Sequence, residues 1–385
     1  MKRLSIILII FALLVAGGLV WWNFGVGSET AVAEATFLQV AEDTTGFARA
    51  TEPNNIEFPR DLGPHDDYQT EWWYYTGNLA DENGRQFGYQ FTIFRRALTP
   101  DEVVDAASDW RSNQVYLAHF TVSDVANEAF YPHERFSRGA AGLAGAQADP
   151  YRVWLEDWSV EELPSGEVRL LADGGDVALD LLLTQTLPPI LHGDGGLSAK
   201  GPEPGNASYY YSQVRQETRG TVRIGEETIG VTGLSWKDHE YSTSALSEGA
   251  IGWDWFSMQF DNGSSLMFFQ IRREDGTLEP FSSGSFIAAD GTVTHLTRED
   301  WSLAVLDEWT SATSGATYPA GWRIEIASLD LVLEGRPLMP NQELNVSTVY
   351  WEGASQFSGT LAGQPVSALG YVEMTGYFAT MNGRI

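Results

Sequence analysis

Residues 72–95 and 253–272 repeat one another, and this repeat constrains the fold more than any other feature of the 385-residue chain. Each copy opens on paired indoles, Trp72 and Trp73 in one and Trp253 and Trp255 in the other. Each runs on as a strand, turns at an Asn-Gly pair (Asn83-Gly84, Asn262-Gly263) and returns as an apolar strand ending in Arg95 or Arg272. A second pair of stretches, 208–233 and 347–376, lies near the end of each half. One carries Gly220-Thr221-Val222 and Val231-Thr232-Gly233, the other Gly359-Thr360-Leu361 and Met374-Thr375-Gly376. The period is far too long for a solenoid unit, so it marks a duplicated β-domain with a boundary near Ala245–Gly249. Eight or nine strands are expected in each copy, about the number that closes a small barrel able to hold one ligand.

From Ile56 onward the chain is a series of short β-like runs between turn signals. Strands are expected over 71–77, on both sides of Asp81-Glu82-Asn83-Gly84, and over 115–122, 151–160, 167–171, 177–186, 209–213, 220–224 and 229–238. One helix is expected over 99–113, where Thr99 can cap, Pro100 suits the first turn, and Asp101 and Glu102 complement the helix dipole. Residues 187–208, rich in proline and glycine, read as a long irregular loop. The expected organisation is an N-terminal hydrophobic segment (1–24), a linker (25–55), a first barrel (56–245) and a second barrel (246–385).

The chain has 23 basic and 52 acidic residues, and a net charge of −29 repels nucleic acid and anionic membrane surfaces. Such acidity can mean disorder, but 43% apolar and 12% aromatic residues supply packed cores. The absence of cysteine excludes disulfides, thiolate metal sites and cysteine nucleophiles. Lys2 and Arg3 precede an apolar run from Leu4 to Phe24 that carries Trp21 and Trp22 near its end. This is the pattern of a signal peptide or of an uncleaved membrane anchor. Either way the globular part is expected to be exported, periplasmic or held outside the cytoplasm at the membrane.

Residues 233–256 concentrate the polar chemistry: Trp236, Asp238, His239, Glu240, Tyr241, Trp253, Asp254 and Trp255. Strand alternation puts Trp236, Asp238 and Glu240 on one face and Lys237, His239 and Tyr241 on the other. It likewise opposes Asp254 to Trp253 and Trp255. One face looks into a barrel, so either the acids or the imidazole point inward. Two readings follow. In one, Asp254 or Asp238 sits in an aromatic pocket, desolvation raises its pKa, and it donates a proton while His239 orients it or holds water. In the other, the stretch is a polar network that ties two domains together. Glu71, Trp72 and Trp73 hold the equivalent place in the first copy, either as site residues or as a packed closing strand. His192, in the proline- and glycine-rich loop, either lines an entrance or has a structural place there.

Several enzyme classes leave no trace. There is no G-x-S-x-G, H-E-x-x-H, S-x-x-K, P-loop or G-x-G-x-x-G motif. No spacing announces a metal site, and neither metal nor cofactor is expected.

The motifs together resemble the AttH/CrtC-like family. The resemblance rests on His65 with Glu71-Trp72-Trp73-Tyr74 and Gly77, on Phe87-Gly88-Tyr89-Gln90, and on Ala118-His119-Phe120. It continues through Leu191-His192-Gly193, Ser198-Ala199-Lys200-Gly201, Tyr209-Tyr210-Tyr211-Ser212, Trp236-Lys237-Asp238-His239-Glu240 and Gly252-Trp253-Asp254-Trp255-Phe256. The implied fold is all-β, with two tandem lipocalin-like β-barrel domains. One branch of the family is carotenoid 1,2-hydratase (hydroxyneurosporene synthase), which adds water to a terminal isoprenoid double bond without a cofactor. Another comprises AttH-type exported proteins, often encoded beside ABC-type export systems and sometimes described as secreted hydrolases. The hydratase branch implies Asp254 as acid, with His239 and Asp238 as partners. It implies a long apolar ligand, isoprenoid or lipid, against Trp236, Tyr241, Trp253, Trp255, Trp72, Trp73, Glu71 and His192. The hydratase pattern has Trp two residues after the His, where this chain has Tyr241. The rival readings are a non-catalytic lipid carrier working with an ABC export system and, third, a secreted hydrolase.

Overall fold

The computed structural model describes residues 44–100, 108, 110–243 and 246–381. The expected N-terminal segment 1–24, residues 25–43 of the linker and the body of the helix expected over 99–113 lie outside them. Among the described residues the regular structure is β, with four short 3-10 turns and no α-helix.

Two antiparallel sheets hold the strands, as the repeat leads one to expect. The first, 13-stranded, runs across in the order Ala129–Arg138, Gln114–Asp124, Gln86–Ala97, Thr70–Ala80, Glu227–Ser242, Ala207–Ile224, Val177–Gln185, Val168–Asp173, Trp158–Glu162, Tyr151–Leu155, Ala144–Ala148. The second, 10-stranded, runs Val293–Thr297, Ser283–Ile287, Ser265–Arg273, Ala250–Phe260, Gln364–Met374, Val349–Leu361, Leu331–Pro337, Thr317–Ile326, Trp301–Thr310. Both follow one plan. The first strand of each half lies between its hairpin partner and the last strand of that half. Pairing first to last curls each sheet toward a barrel, and the sequence repeat is this shared plan.

The proline- and glycine-rich stretch is not the wholly irregular loop expected. Ile190–Leu191 and Leu197–Ala199 pair with Ala207–Ile224 and lay the stretch against the first sheet. Gly193 makes the turn between them: its φ is +65°, and a Cβ there would lie 2.2 Å from the Leu197 carbonyl oxygen. The described end of the linker is docked too, with Ala50 buried against Tyr209 and Tyr241.

Among the described residues the three largest groups of apolar side chains form three layers rather than two. One fills the first barrel around Trp73, Phe91 and Trp158, and one fills the second around Phe256, Trp322 and Trp351. The third lies between the sheets, where Tyr74, Tyr210 and Trp236 from the first meet Trp255, Phe269 and Tyr371 from the second. The strands Thr70–Ala80, Glu227–Ser242 and Ala250–Phe260 are therefore buried on both faces along much of their length. This is why they read as near-continuous aromatic runs instead of an alternation of apolar and polar residues.

Candidate functional site

The strand Glu227–Ser242 carries most of the expected polar residues, and its alternation distributes them to two chambers. Facing the second sheet are Trp236, Asp238 and Glu240; facing the interior of the first barrel are Lys237, His239 and Tyr241. Its neighbour Thr70–Ala80 pairs Tyr74 with Asp238 and Trp73 with His239, so the same division runs through both strands.

Between the sheets lies a cavity of about 110 Å³. Trp72, Tyr74, Tyr210, Asp238 and Glu240 from the first sheet and Trp253, Trp255, Tyr350 and Glu373 from the second contribute to its walls. Three donors converge on Asp238. Tyr210 Oη donates to Oδ2 at 2.7 Å, Trp236 Nε1 donates to Oδ1 at 2.6 Å, and Ser212 Oγ also donates to Oδ1. Burial outweighs them and pushes the carboxyl up to about 7. Trp255 Nε1 donates to Tyr210 Oη at 3.1 Å, which ties the second sheet to this group. Glu240 is held by the Lys200 ammonium at 2.9 Å and by Ser208.

The opposite wall has a second set of acids. Glu373 and Glu352 are direct cross-strand neighbours. Trp253 Nε1 donates to Glu373, and Tyr74 Oη donates to Glu352 Oε2 at 3.0 Å across the interface. Burial raises both carboxyls, Glu352 well above its usual range because the charge of Glu373 adds to it. Asp238, pushed up to about 7, and Glu373, raised by burial, thus both present carboxyl groups to an aromatic cavity. Such groups can give a proton or donate a hydrogen bond where a solvated carboxylate cannot.

Several sequence expectations are corrected here. Asp254 does not share a site with His239 or Asp238. It lies on the opposite face of its strand from Trp253 and Trp255, where Gln270 Nε2, Arg272 Nε and Tyr377 Oη bind it at 2.9, 3.1 and 3.1 Å. These three partners occupy its oxygens on the face away from the cavity. His239, Glu71, Trp73 and Tyr241 sit in or at the mouth of the first barrel, away from the cavity walls. His192 is buried rather than at an entrance: its Nε2 lies 2.7 Å from Ser212 Oγ, one layer behind Asp238. Trp236 is likewise behind the wall, edge-on to Trp255. Of the expected residues, Asp238, Trp72, Trp253 and Trp255 reach the cavity.

The interior of the first barrel holds an ion network. Glu71 Oε1 takes hydrogen bonds from His65 Nδ1 at 2.7 Å and His239 Nε2 at 2.8 Å, and Oε2 takes one from Arg95 Nε at 2.8 Å. Burial works against the Glu71 carboxylate, but Arg95 and His65 hold it well below its usual range. Burial also opposes charge on His65, and Glu71 and Asp61 overcome it to raise the imidazole. Burial lowers His239 to about 4, so it is neutral. The three ligating atoms of His65, Glu71 and His239 lie within 4.8 Å of one another, the spacing of a metal site. Arg95, bound to the same carboxylate, opposes a divalent cation there. Lys237, lowered by burial to about 7, lies 4.4 Å from the Tyr151 ring centroid in the same interior.

Sequence reasoning missed Glu373, Glu352, Tyr210 and Tyr350. The duplication was the available signal. Asp238 stands opposite Tyr74 and Ser212 in the first sheet, and Glu373 stands opposite Trp255 and Glu352 at the matching strands of the second.

Comparison with known proteins adds to this geometry. The family model for AttH-like proteins matches residues 49–377. The crystal structure of a protein described as an AttH from Nitrosomonas europaea is 34% identical, superimposes with a TM-score of 0.75, and covers 86% of this chain and 100% of its own. Kievitone hydratase from Nectria haematococca shares the fold at 14% identity and a TM-score of 0.64, over 87% of this chain and 99% of its own. A dehydratase of Emericella nidulans is 23% identical over 221 residues, 54% of this chain; the chain spans 60% of that relative's length.

Proposed function

The chain belongs to the AttH-like family, and from that premise we propose that the cavity between its sheets adds water to, or removes it from, a carbon–carbon double bond of an apolar substrate. The observation that carries this reading is the pair of carboxyl groups on opposite walls of the cavity, Asp238 and Glu373, set among indole and phenol rings and both raised by burial. The names of the relatives, a hydratase and a dehydratase, support the same reaction class.

In the hydration direction Asp238 gives its proton to the less substituted alkene carbon. A tertiary cation forms on the other carbon, and the faces of Trp72, Trp253 and Trp255 offset its charge. Water bonds to that carbon, and the protonated oxygen passes its extra proton to a second water that carries it out to solvent, giving a tertiary alcohol. Glu373, raised by burial, accepts a hydrogen bond from the incoming water on a carboxyl oxygen and orients it toward the cation. Every step is redox-neutral, so the scheme calls for no redox cofactor.

The substrate class we favour is the terminal double bond of an acyclic isoprenoid, as in carotenoid 1,2-hydration. A cavity of about 110 Å³ accepts an end group and leaves the rest of a long chain outside, since whole drug-sized ligands fill roughly 300–1,000 Å³. On the strength of Lys2, Arg3 and the apolar run 4–24, we place this activity outside the cytoplasm.

The test is incubation of the purified full chain with an acyclic carotenoid and with a shorter isoprenoid, Asp238→Asn alongside. A tertiary alcohol from the wild type and none from a folded Asn variant supports the reading. Tight binding with no turnover in either protein makes it a carrier instead, a role the aromatic walls alone would serve.

A further inference from the structure

Asp238 is 4% exposed and walled by rings. A proton that leaves it beneath a bound apolar substrate has to be replaced from behind. A line of hydrogen-bonding side chains runs there, drawn from both sheets. Ser212, opposite Asp238 in the ladder, donates to its Oδ1. His192 Nε2 lies 2.7 Å from Ser212 Oγ, and His192 Nδ1 lies 3.0 Å from Ser285 Oγ of the second sheet. Ser285 faces His295 across its own ladder, with Oγ 3.4 Å from His295 Nδ1. His295 is exposed, whereas His192, Ser285 and Ser212 are buried.

The directions of these bonds are set from the inner end. Ser212 spends its hydrogen on Asp238, so its oxygen accepts from His192 Nε2–H. The other nitrogen of His192 then accepts from the Ser285 hydroxyl, whose oxygen is left to accept from His295. All four links point toward Asp238. Burial holds His192 well below its ordinary value and hence neutral, with one N–H and one lone pair, as the line requires.

We propose that His295, Ser285, His192 and Ser212 form a proton conduit that connects Asp238 to solvent through the seam between the sheets. The proposal rests on Asp238 being the proton carrier in the hydration reading. In one passage Ser212 gives its hydrogen to the Asp238 carboxylate and takes one from His192 Nε2. His192 Nδ1 takes one from Ser285, Ser285 takes one from His295, and His295 regains one from water. One proton enters at the surface and one arrives at Asp238, while His192 ends as its other tautomer. A purely structural network would hold the sheets together without carrying protons.

The test reads deuterium exchange of the Asp238 carboxylic acid by infrared spectroscopy, in the full chain without substrate at about pH 6, where the acid form predominates. The band is assigned as the one lost in Asp238→Asn. Ser285→Ala, a small change at the far end of the line, is expected to slow exchange by about tenfold or more with the band position kept. His192→Phe is expected to do the same. Exchange at the wild-type rate in Ser285→Ala means that solvent reaches Asp238 through the cavity, and overturns the conduit. Nitrogen-15 spectra of His192 give a second measurement. At about pH 9, where the Asp238 carboxylate awaits a proton, the Nε2–H tautomer is expected, and the Nδ1–H tautomer there would reverse the line and overturn it as well. Because no turnover is read, an inactive enzyme leaves a positive exchange result standing, and a failed conduit leaves the hydratase reading intact.

Discussion

Asp238 and His239 are adjacent in the chain and belong to different chambers. Asp238 bonds Tyr210 and Trp236 in the layer between the sheets. His239 bonds Glu71 and Tyr211 inside the first barrel and stacks on Trp73 with ring centroids 4.8 Å apart. A substitution at one position therefore tests a site, and a substitution at the other tests a scaffold.

Asp238→Asn is expected to lower turnover by about 10²–10⁴-fold, the usual contribution of a general acid, and to leave the fold intact. Its effect on stability has a defined sign. The folded carboxyl is raised from 3.8 to about 7, so the stability it contributes is full below 3.8 and is lost as pH rises through about 7. The shift corresponds to about 4 kcal/mol at most. Urea midpoints at about pH 5 and pH 8 should fall further in the wild type than in Asp238→Asn; equal falls would mean that the acid is not raised.

Tyr210→Phe removes a hydroxyl that donates to Asp238 Oδ2 and so lowers its pKa. The acid should become weaker by on the order of one unit. The basic limb of the pH–rate profile moves up accordingly, and an unmoved limb would assign that limb to another group.

Glu352 and Glu373 are like groups placed directly opposite, an arrangement that costs stability once both ionise. Both are raised, so the stability that they contribute is present at low pH and lost as pH rises. Glu352→Gln removes one of the two titrations. It should melt above the wild type at alkaline pH and close to it at pH 5 by scanning calorimetry.

Glu71 behaves in the opposite sense. Its carboxyl is held well below the usual range, so its contribution is present above that range and is lost as pH falls. Glu71→Gln leaves Arg95 buried without its carboxylate and should cost about 3–5 kcal/mol in urea unfolding at neutral pH. A loss under about 1 kcal/mol would show that Asp66 and the carbonyls around Arg95 suffice to balance it.

The sheets approach closely at Gly88, where a Cβ would lie 2.5 Å from the Ala354 Cβ. Gly88→Ala should cost about 1–3 kcal/mol by overpacking. Ala354→Gly should restore part of that loss in the double variant. Additive losses in the four-protein cycle would show that the two positions do not meet.

Much of the fold was legible because duplication and alternation are properties of the string itself. The Asn-Gly hairpins and the two-barrel plan follow from them, as does the opposition of Asp238 to His239. The site was less legible, for a physical reason. A strand with one face inside a barrel normally shows water its other face, and the Glu227–Ser242 strand instead shows it to a second barrel. Nothing local in Trp236–Tyr241 says so. Asp254 was misplaced although its alternation with Trp253 and Trp255 already put it on the other face. Glu352 and Glu373 stand alone among apolar neighbours, and only their equivalence to Ser212 and Asp238 in the first half brings them forward.

The strand Glu227–Ser242 acts as a bulkhead with different cargo on each side. A slip of one residue in its pairing would bring Lys237 and His239 into the aromatic cavity and press Asp238 and Glu240 against Glu71. Such a misaligned barrel would be refused by charge as well as by shape. Gly233 adds a mechanical stop, since a Cβ there would sit 2.1 Å from the Asn78 carbonyl oxygen. The division of charge that suits this wall to the proposed reaction thus also proofreads the assembly of the barrel that holds it.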